Sequence, residues 1–259
     1  MASKGPKASK DMKRFFIDRD NIKGDRLTLT GSDVRHVRTV LRLGPGDEIL
    51  LSDGQGTEYR ARIMESTPKA ITLLALDAYP ATSESPLEIT IGQGFLKARK
   101  MDRIVRQLTE LGCFAFIPFM AERSVPRPKA GPLTQRMRRW EAIAREALKQ
   151  CGRSRAPHVG AVVSFQDLVS TRKSFDLKII FHDQGPEETP GHPLKSQDAV
   201  QTVLALVGPE GGFTDKEVHS ALDFGFLRVS LGPRVLRADT AAVAAGAILQ
   251  HTFGDLKGV

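Results

Sequence analysis

Between Leu87 and Leu231 five short apolar runs, "LEITIGQGFL", "FAFIPFM", "LKIIFHD", "VLALVG" and "FLRVSLG", alternate with stretches of helical periodicity. That alternation narrows the fold most, because runs of strand length separated by helices close into an α/β domain with a largely parallel sheet. After Lys100, apolar Met101, Ile104, Val105, Leu108 and Leu111 recur at helical spacing and Gly112 stops the helix. A second helix carries Leu133, Met137, Trp140, Ala144, Leu148 and Cys151 on one face and is stopped by Gly152. Trp140 and Cys151 therefore read as core residues rather than as chemistry.

Upstream the rhythm differs. "RFFID", "RLTLT", "EILLSDGQGTEYRARIM" and "AITLLAL" read as short strands, with "DGQG" as a hairpin signal and one helix over 34–41 whose Val34, Val37 and Leu41 share a face. The sequence thus predicts a small β-barrel-like domain over 12–79. Residues 80–87, rich in proline, serine and threonine, form the linker, and the α/β domain takes 88–259. Residues 1–11 are small, polar and basic and are expected to be a disordered arm, with Met12 a candidate start.

The formal charge is +8, and the excess is clustered at Lys4, Lys7, Lys10, Lys13 and Arg14 and again between Arg136 and Arg155. Clustering of this kind favours a polyanion, and nucleic acid ahead of a membrane because no amphipathic anchor accompanies it. No run of 18 apolar residues and no signal-type segment occurs, so a cytoplasmic location is expected. Two cysteines, Cys113 and Cys151, argue against a disulfide scaffold. The six histidines, His36, His158, His182, His192, His219 and His251, show no ligand spacing, so no metal is expected.

Two strand exits carry glycines. In "LVGPEGGFTDKEV" the strand breaks into Gly208-Pro209-Glu210-Gly211-Gly212, and Thr214 with Glu217 makes a capping-box pattern for the next helix. Such a loop lets backbone N–H groups approach a ligand closely. It lacks the lysine followed by Ser or Thr of a P-loop, and Glu210 would repel an anion, so a neutral or cationic ligand fits better. In "VSLGPRVLRADTAAVAAGAILQ", Leu231-Gly232-Pro233 leaves a strand, and Asp239 or Thr240 can cap a helix running to about His251. The small residues of that helix imply close packing against another element or another subunit. The two exits are expected to converge on one pocket at the carboxyl ends of the sheet. "GQGFLK", by contrast, offers only two glycines of a dinucleotide fingerprint and reads as a turn or a substrate-facing loop.

Taken in order, "HVRTVLRLGPGDEI", "KMDRIVRQLTELG", "AERS", "KQCGRSRAPHV", "LVGPEGGFTDKE" and "LGPRVLRADTA" resemble the bacterial 16S rRNA uridine N3-methyltransferases of RsmE type, over about residues 12–256. The resemblance implies an N-terminal PUA-like β-barrel that binds RNA and a C-terminal SPOUT domain with a trefoil knot and a mostly parallel sheet. It also implies S-adenosylmethionine as cofactor, 16S rRNA in the small ribosomal subunit as partner, and a homodimer. Carried over by position, Leu206, Val207, Gly208, Pro209, Glu210, Gly211 and Gly212 form one cofactor loop. Leu231, Gly232, Arg234, Val235 and Leu236 form the other, with Thr240 nearby, and the cationic sulfonium makes Glu210 tolerable.

Uridine N3 carries a proton at neutral pH, so the site must help to remove it or stabilise charge on the flanking carbonyl oxygens. Arg123 and Arg237 are the candidates for the second task, Glu122 and Asp239 for accepting or orienting the proton. Arg14, Arg35, Arg38 and Arg42, with Lys97, Arg99 and Lys100, are the candidates for rRNA phosphates. One departure stands out: the family's usual Thr-Glu-Thr-Ala is Ala238-Asp239-Thr240-Ala241 here, with a carboxylate shorter by one methylene. A ribose 2′-O-methyltransferase of the same superfamily and a noncatalytic rRNA-binding assembly factor are the alternatives.

Overall fold

The structure is a computed structural model that describes residues 12–97, 99–125, 130–182 and 200–256, with backbone only over 130–132. The basic arm expected over 1–11 lies outside the described residues, as does His192. The chain divides into two compact units, Met1–Glu84 with Leu148–Ala156, and Ser85–Ala147 with Pro157–Val259.

The first unit is a six-stranded sheet. Its strands are β1 (Arg14–Phe16), β2 (Ile22–Lys23), β3 (Arg26–Thr30), β4 (Glu48–Ser52), β5 (Thr57–Ser66) and β6 (Ala70–Pro80), in the order β1-β4-β5-β6-β3-β2. Only β1 and β4 run parallel. Two register shifts in the β5–β6 pairing, at Arg60/Ala61 and Ile63/Glu65, bend this ribbon. Alternate residues face a core of Leu27, Leu29, Ile49, Leu51, Ile63, Ile71 and Leu73. The expected helix is a short α1 (Ser32–Arg35) that widens into a π turn over His36–Val40, and it supplies buried Val34 and Val37. "DGQG" makes the β4–β5 hairpin: Asp53 Oδ1 accepts from the Gln55 and Thr57 amides, and Gly54 and Gly56 adopt positive φ.

Residues 148–156 also belong to this unit, which a linear boundary at 80–87 does not anticipate. Glu84 makes the densest set of bonds to the segment, accepting from Arg153 Nε at 3.1 Å and Nη2 at 2.7 Å and from the Ser154 and Arg155 amides at 2.8 and 2.9 Å; Ser52 Oγ donates to Ser154 O at 3.1 Å, and Lys149 meets Asp33 at 3.2 Å. Ser154 and Arg153 are buried as a result.

The second unit is α/β. Its elements are β7 (Glu88–Gly94), α2 (Lys100–Glu110), β8 (Ala115–Met120), α3 (Ala130–Cys151, its end in the first unit), β9 (His158–Val159), β10 (Val163–Ser164) and α4 (Phe165–Val169). There follow β11 (Leu177–Phe181), β12 (Thr202–Val207), α5 (Asp215–Asp223), β13 (Leu227–Val229) and α6 (Ala238–Thr252). The seven strands run in the order β10-β8-β7-β12-β11-β13, with β9 on β8, and every pairing is parallel. Both faces are covered, so the central strands are apolar on both sides. In β12, Val203, Ala205 and Val207 enter one core, with α2, α3 and α6, while Leu204 and Leu206 enter another with Phe119, Phe165 and Phe213.

Local rules explain the ends. Gly112 takes φ +80 after α2 and Gly152 φ +76 after α3, both as the sequence predicts. Trp140 is buried in the core and its Nε1 donates to Asp102 Oδ1 at 3.1 Å. The small residues of α6 do meet a close neighbour, α2 of the same chain: a Cβ on Gly246 would stand 3.1 Å from Leu108 Cδ2. That helix begins two or three residues earlier than expected, with Arg237 at the N-cap in place of Asp239 or Thr240.

Candidate active site

A cavity of about 560 Å³ opens at the carboxyl ends of β11, β12 and β13, within the second unit. Its walls are the residues that follow β12 (Val207 to Phe213), those that follow β13 (Leu231, Gly232, Arg234, Val235, Leu236, Arg237), and the start of α6 (Ala238, Ala241). Phe181, His182, Lys100, Arg123 and Asp215 complete it. The two glycine-bearing exits therefore converge, although they come from strands separated by β11 rather than from neighbours.

The first loop is shaped from below and behind. Gly94 of β7 lies directly under it: a Cβ there would stand 2.5 Å from Pro209 N and 2.9 Å from the Gly208 carbonyl carbon. The second glycine of "GQG" thus supports the loop from beneath rather than forming part of a nucleotide fingerprint. The Gly212 amide donates to Pro209 O at 2.9 Å, closing the turn with Gly212 at φ +69. Phe213 anchors the far end, stacked on Phe119 with centroids 6.1 Å apart. The capping box forms as predicted: Thr214 Oγ1 accepts from the Glu217 amide, and Glu217 Oε2 accepts from the Thr214 amide at 2.9 Å.

"AERS" is a turn locked onto this loop. The Ala121 amide donates to Ser124 Oγ at 3.0 Å, and the Glu122 amide donates to buried Glu217 Oε1 at 2.9 Å. Arg123 Nη1 donates to the carbonyls of Gly211 (3.1 Å) and Phe213 (3.2 Å), so part of its guanidinium is committed to holding the loop. Gly211 fits beneath it because a Cβ would lie 3.0 Å from Arg123 Cβ.

Of the four residues singled out for catalysis, Arg123 and Arg237 line the cavity, and Glu122 and Asp239 do not. Glu122 Oε2 accepts from Thr214 Oγ1 at 3.3 Å. Asp239 sits in the first turn of α6 with Oδ2 3.8 Å from Arg103 Nη1 and Oδ1 buried without a hydrogen-bond partner. Among the residues expected to hold the cofactor, Leu206 is fully buried beneath the loop in the Phe119–Phe213 cluster, and Thr240 lies outside the lining. The other eleven line the cavity.

Glu210 corrects the electrostatic argument made from sequence. Its Oε1 meets Lys100 Nζ at 3.0 Å and the Lys97 amide at 3.4 Å, so its charge is largely offset and does not by itself select a cation. Lys100, expected among the phosphate-contacting residues, is also part of the cavity wall. Lys97 and Arg99 are exposed beside it in sequence. In the first unit, Arg35, Arg38 and Arg42 are exposed, whereas Arg14 is paired with Glu58 at 3.0 Å. Burial pushes the Glu58 carboxyl up, partly countered by Arg14. Arg38 and Arg42 border a second, open cavity with Thr39, Gly44 and Ser66, and Arg42 adopts φ +56.

Phe181, His182, Phe213 and Ala241 escaped the sequence reading because their place depends on strand order, which local pattern does not encode. Phe213 alone had a signal, as the apolar residue before the capping box.

Residues 83–250 match the family model of an RNA methyltransferase domain and residues 29–76 that of an RNA methyltransferase PUA domain. The ribosomal RNA small subunit methyltransferase E of Bacillus subtilis is 30% identical over 254 residues, 95% of this chain and 99% of the relative. That of Synechocystis is 32% identical over 233 residues, 90% of this chain and 75% of the relative. Among solved structures, the small subunit methyltransferase E of Neisseria gonorrhoeae bound to S-adenosyl methionine superposes with a TM-score of 0.79 at 30% identity, covering 95% of this chain and all of that one.

Proposed function

This chain belongs to the RsmE family of small-subunit ribosomal RNA methyltransferases, with the PUA and SPOUT architecture of that family, and on that premise we propose that it methylates N3 of a specific uridine in the 16S rRNA of the small ribosomal subunit. The cofactor is S-adenosylmethionine. The observation that carries the proposal is the convergence of the loops after β12 and β13 on one cavity whose wall includes the guanidinium groups of Arg123 and Arg237.

The residues present fit that cofactor. The cavity, about 560 Å³, lies in the range of small-molecule sites. Its wall includes backbone that Gly94 and Gly211 allow to pack without a Cβ, which sets the main chain of 207–212 where a ribose and an adenine can meet it. Leu231, Leu236 and Phe181 supply apolar wall for a purine. When bound, the cofactor supplies an electrophilic methyl group on a sulfonium.

The protein's own part is to bind, orient and hold charge. Loops 207–212 and 231–236 hold the cofactor, and Arg237, exposed at the rim, faces the negative charge that develops on the uracil oxygens as N3 loses its proton. Arg123 holds the loop through Nη1 and presents the rest of its guanidinium to the same oxygens. Glu122, next to Arg123 in sequence, is one candidate to take up the N3 proton. Asp239, in the first turn of α6 with Oδ2 3.8 Å from Arg103 Nη1, is the second candidate. Arg35, Arg38, Arg42, Lys97 and Arg99 extend the reading to rRNA phosphates, and Arg14, held by Glu58, contributes least. A cytoplasmic homodimer completes the proposal, with Val235, 81% exposed at the rim, as apolar surface for the second copy.

The test is single-turnover transfer of labelled methyl from S-adenosylmethionine to small subunits isolated from cells lacking the modification. Transfer by the wild type, slowed on the order of a hundredfold or more in Arg237→Ala with cofactor affinity retained, is expected. Unchanged rates in both Arg123→Ala and Arg237→Ala would refute the charge-stabilising roles, and absence of transfer by the wild type would refute the enzymatic reading.

A further inference from the structure

Gln93, the middle residue of "GQG", is completely buried at the carboxyl end of β7. Its Nε2 donates to the carbonyl of Gly208 at 3.0 Å, to that of Gly94 at 3.0 Å and, at the longer distance of 3.4 Å, to that of Val207. Its Oε1 is buried with no hydrogen-bond partner among the described residues. This pattern fixes the amide's orientation, because the flipped form would set an oxygen against three carbonyl oxygens.

The β7–β12 ladder ends at the pair Gln93 and Val207. Beyond it the chain leaves the sheet, and the Gly208 carbonyl has no further strand to bond. A buried amide that leaves its own oxygen unpaired works against folding. An apolar side chain of similar volume would avoid that cost but would withdraw a donor from the carbonyls of Val207 and Gly208. The neighbouring Gly94 acts on the same place, since Pro209 rests where its Cβ would be. One residue pins the loop and the next lets it settle.

We propose that Gln93 is a positioning residue for the cofactor: by holding the carbonyls of Val207 and Gly208 it sets the path of loop 208–212, and hence the backbone that meets S-adenosylmethionine. This rests on the reading of the cavity as the S-adenosylmethionine site. Gln93 itself is absent from the cavity lining, so it acts through the loop.

The experiment measures binding of S-adenosylmethionine and of S-adenosylhomocysteine by isothermal titration calorimetry in wild type, Gln93→Leu and Gln93→Glu, with melting temperatures alongside. Gln93→Leu removes the donors, and a roughly tenfold or greater loss of affinity is expected. Gln93→Glu supplies the sharper readout. As a neutral carboxyl it donates one hydrogen bond to the loop; as a carboxylate it donates none and faces carbonyl oxygens, and burial raises its pKa above the usual range of about 4. Its affinity relative to wild type is therefore expected to recover at about pH 5.5 and to fall at about pH 8. Ratios to wild type at each pH cancel the titration of the cavity's other ionisable groups, Lys100, Glu210, His182 and Asp215.

Wild-type affinity in Gln93→Leu, or a Gln93→Glu ratio that does not change with pH, overturns the proposal. Wild-type protein that binds neither compound overturns the cofactor reading itself, and with it this inference.

Discussion

Adding one methyl group to Gly94 should displace loop 208–212, and with it the proposed cofactor site. In Gly94→Ala the new Cβ would stand 2.5 Å from Pro209 N, 2.6 Å from Pro209 Cδ and 2.9 Å from the Gly208 carbonyl carbon. None of these is the far end of a flexible side chain. The strand cannot retreat either, because β7 is hydrogen-bonded on one side to β8 and on the other to β12. The loop must therefore rise by roughly 1 Å to reach ordinary van der Waals distance, a displacement of the size that costs on the order of a hundredfold in a positioned reaction. Overpacking of this kind costs about 1–3 kcal/mol of stability. Affinity for S-adenosylmethionine should fall about tenfold to a hundredfold, equivalent to about 1.4–2.8 kcal/mol. Calorimetric titration measures the affinity and thermal unfolding the stability. Gly44→Ala is the control: its Cβ would meet nothing within 4 Å, and a change within about 0.5 kcal/mol is expected. Gly94→Ala protein that binds the cofactor as wild type does would refute the claim that β7 shapes the loop.

Three further outcomes are expected. Arg38→Ala with Arg42→Ala should lessen the slope of log K for rRNA against log salt by about 1.5, close to two lost phosphate contacts, while cofactor affinity is unchanged; an unaltered slope removes these residues from the interface. Asp176 accepts hydrogen bonds from the Gln201 amide, the Thr202 hydroxyl and the Thr202 amide, which hold its carboxyl below the ordinary value of 3.8. Its stabilising contribution is thus complete above the unfolded-state pKa and is lost as pH falls through the lowered folded-state value. Asp176→Asn should lower the melting temperature at pH 7 more than at about pH 3, and equal losses at both would contradict the assignment. Thr214→Ala, which removes the N-cap of α5, should cost about 0.5–2 kcal/mol in chemical denaturation; no loss would mean that the cap carries little weight.

Much of the site was legible because the signals are local. Thr214 and Glu217 lie three residues apart and cap whatever helix follows them; Gly112 and Gly152 stop helices because of their own backbone freedom. Even the convergence of two strand exits follows from a general property of parallel sheets. What stayed hidden depends on residues far apart in the chain. Glu210 looks like a free carboxylate until Lys100, 110 residues upstream, is found beside it. Asp239 looks poised at a loop until α6 starts at Ala238 and Arg103 approaches. Residues 148–156, read from sequence as the end of a helix stopped at Gly152 and the chain just after it within the α/β domain, are tied into the first unit by Glu84, Ser52 and Asp33. Gln93 and Gly94 gave only a weak nucleotide fingerprint, because their roles are set by register with β12 and not by neighbours in sequence.

The reaction proposed for the cavity at the ends of β11, β12 and β13 is methyl transfer to N3 of one uridine. Its most direct test is digestion to nucleosides of small-subunit rRNA labelled by this protein with methyl-labelled S-adenosylmethionine, followed by chromatography and mass analysis. N3-methyluridine carrying all of the label, from one position of the 16S rRNA, is the predicted result. Label on a ribose 2′-oxygen would contradict the assigned target atom, and rRNA that is bound tightly but stays unlabelled would contradict the enzyme.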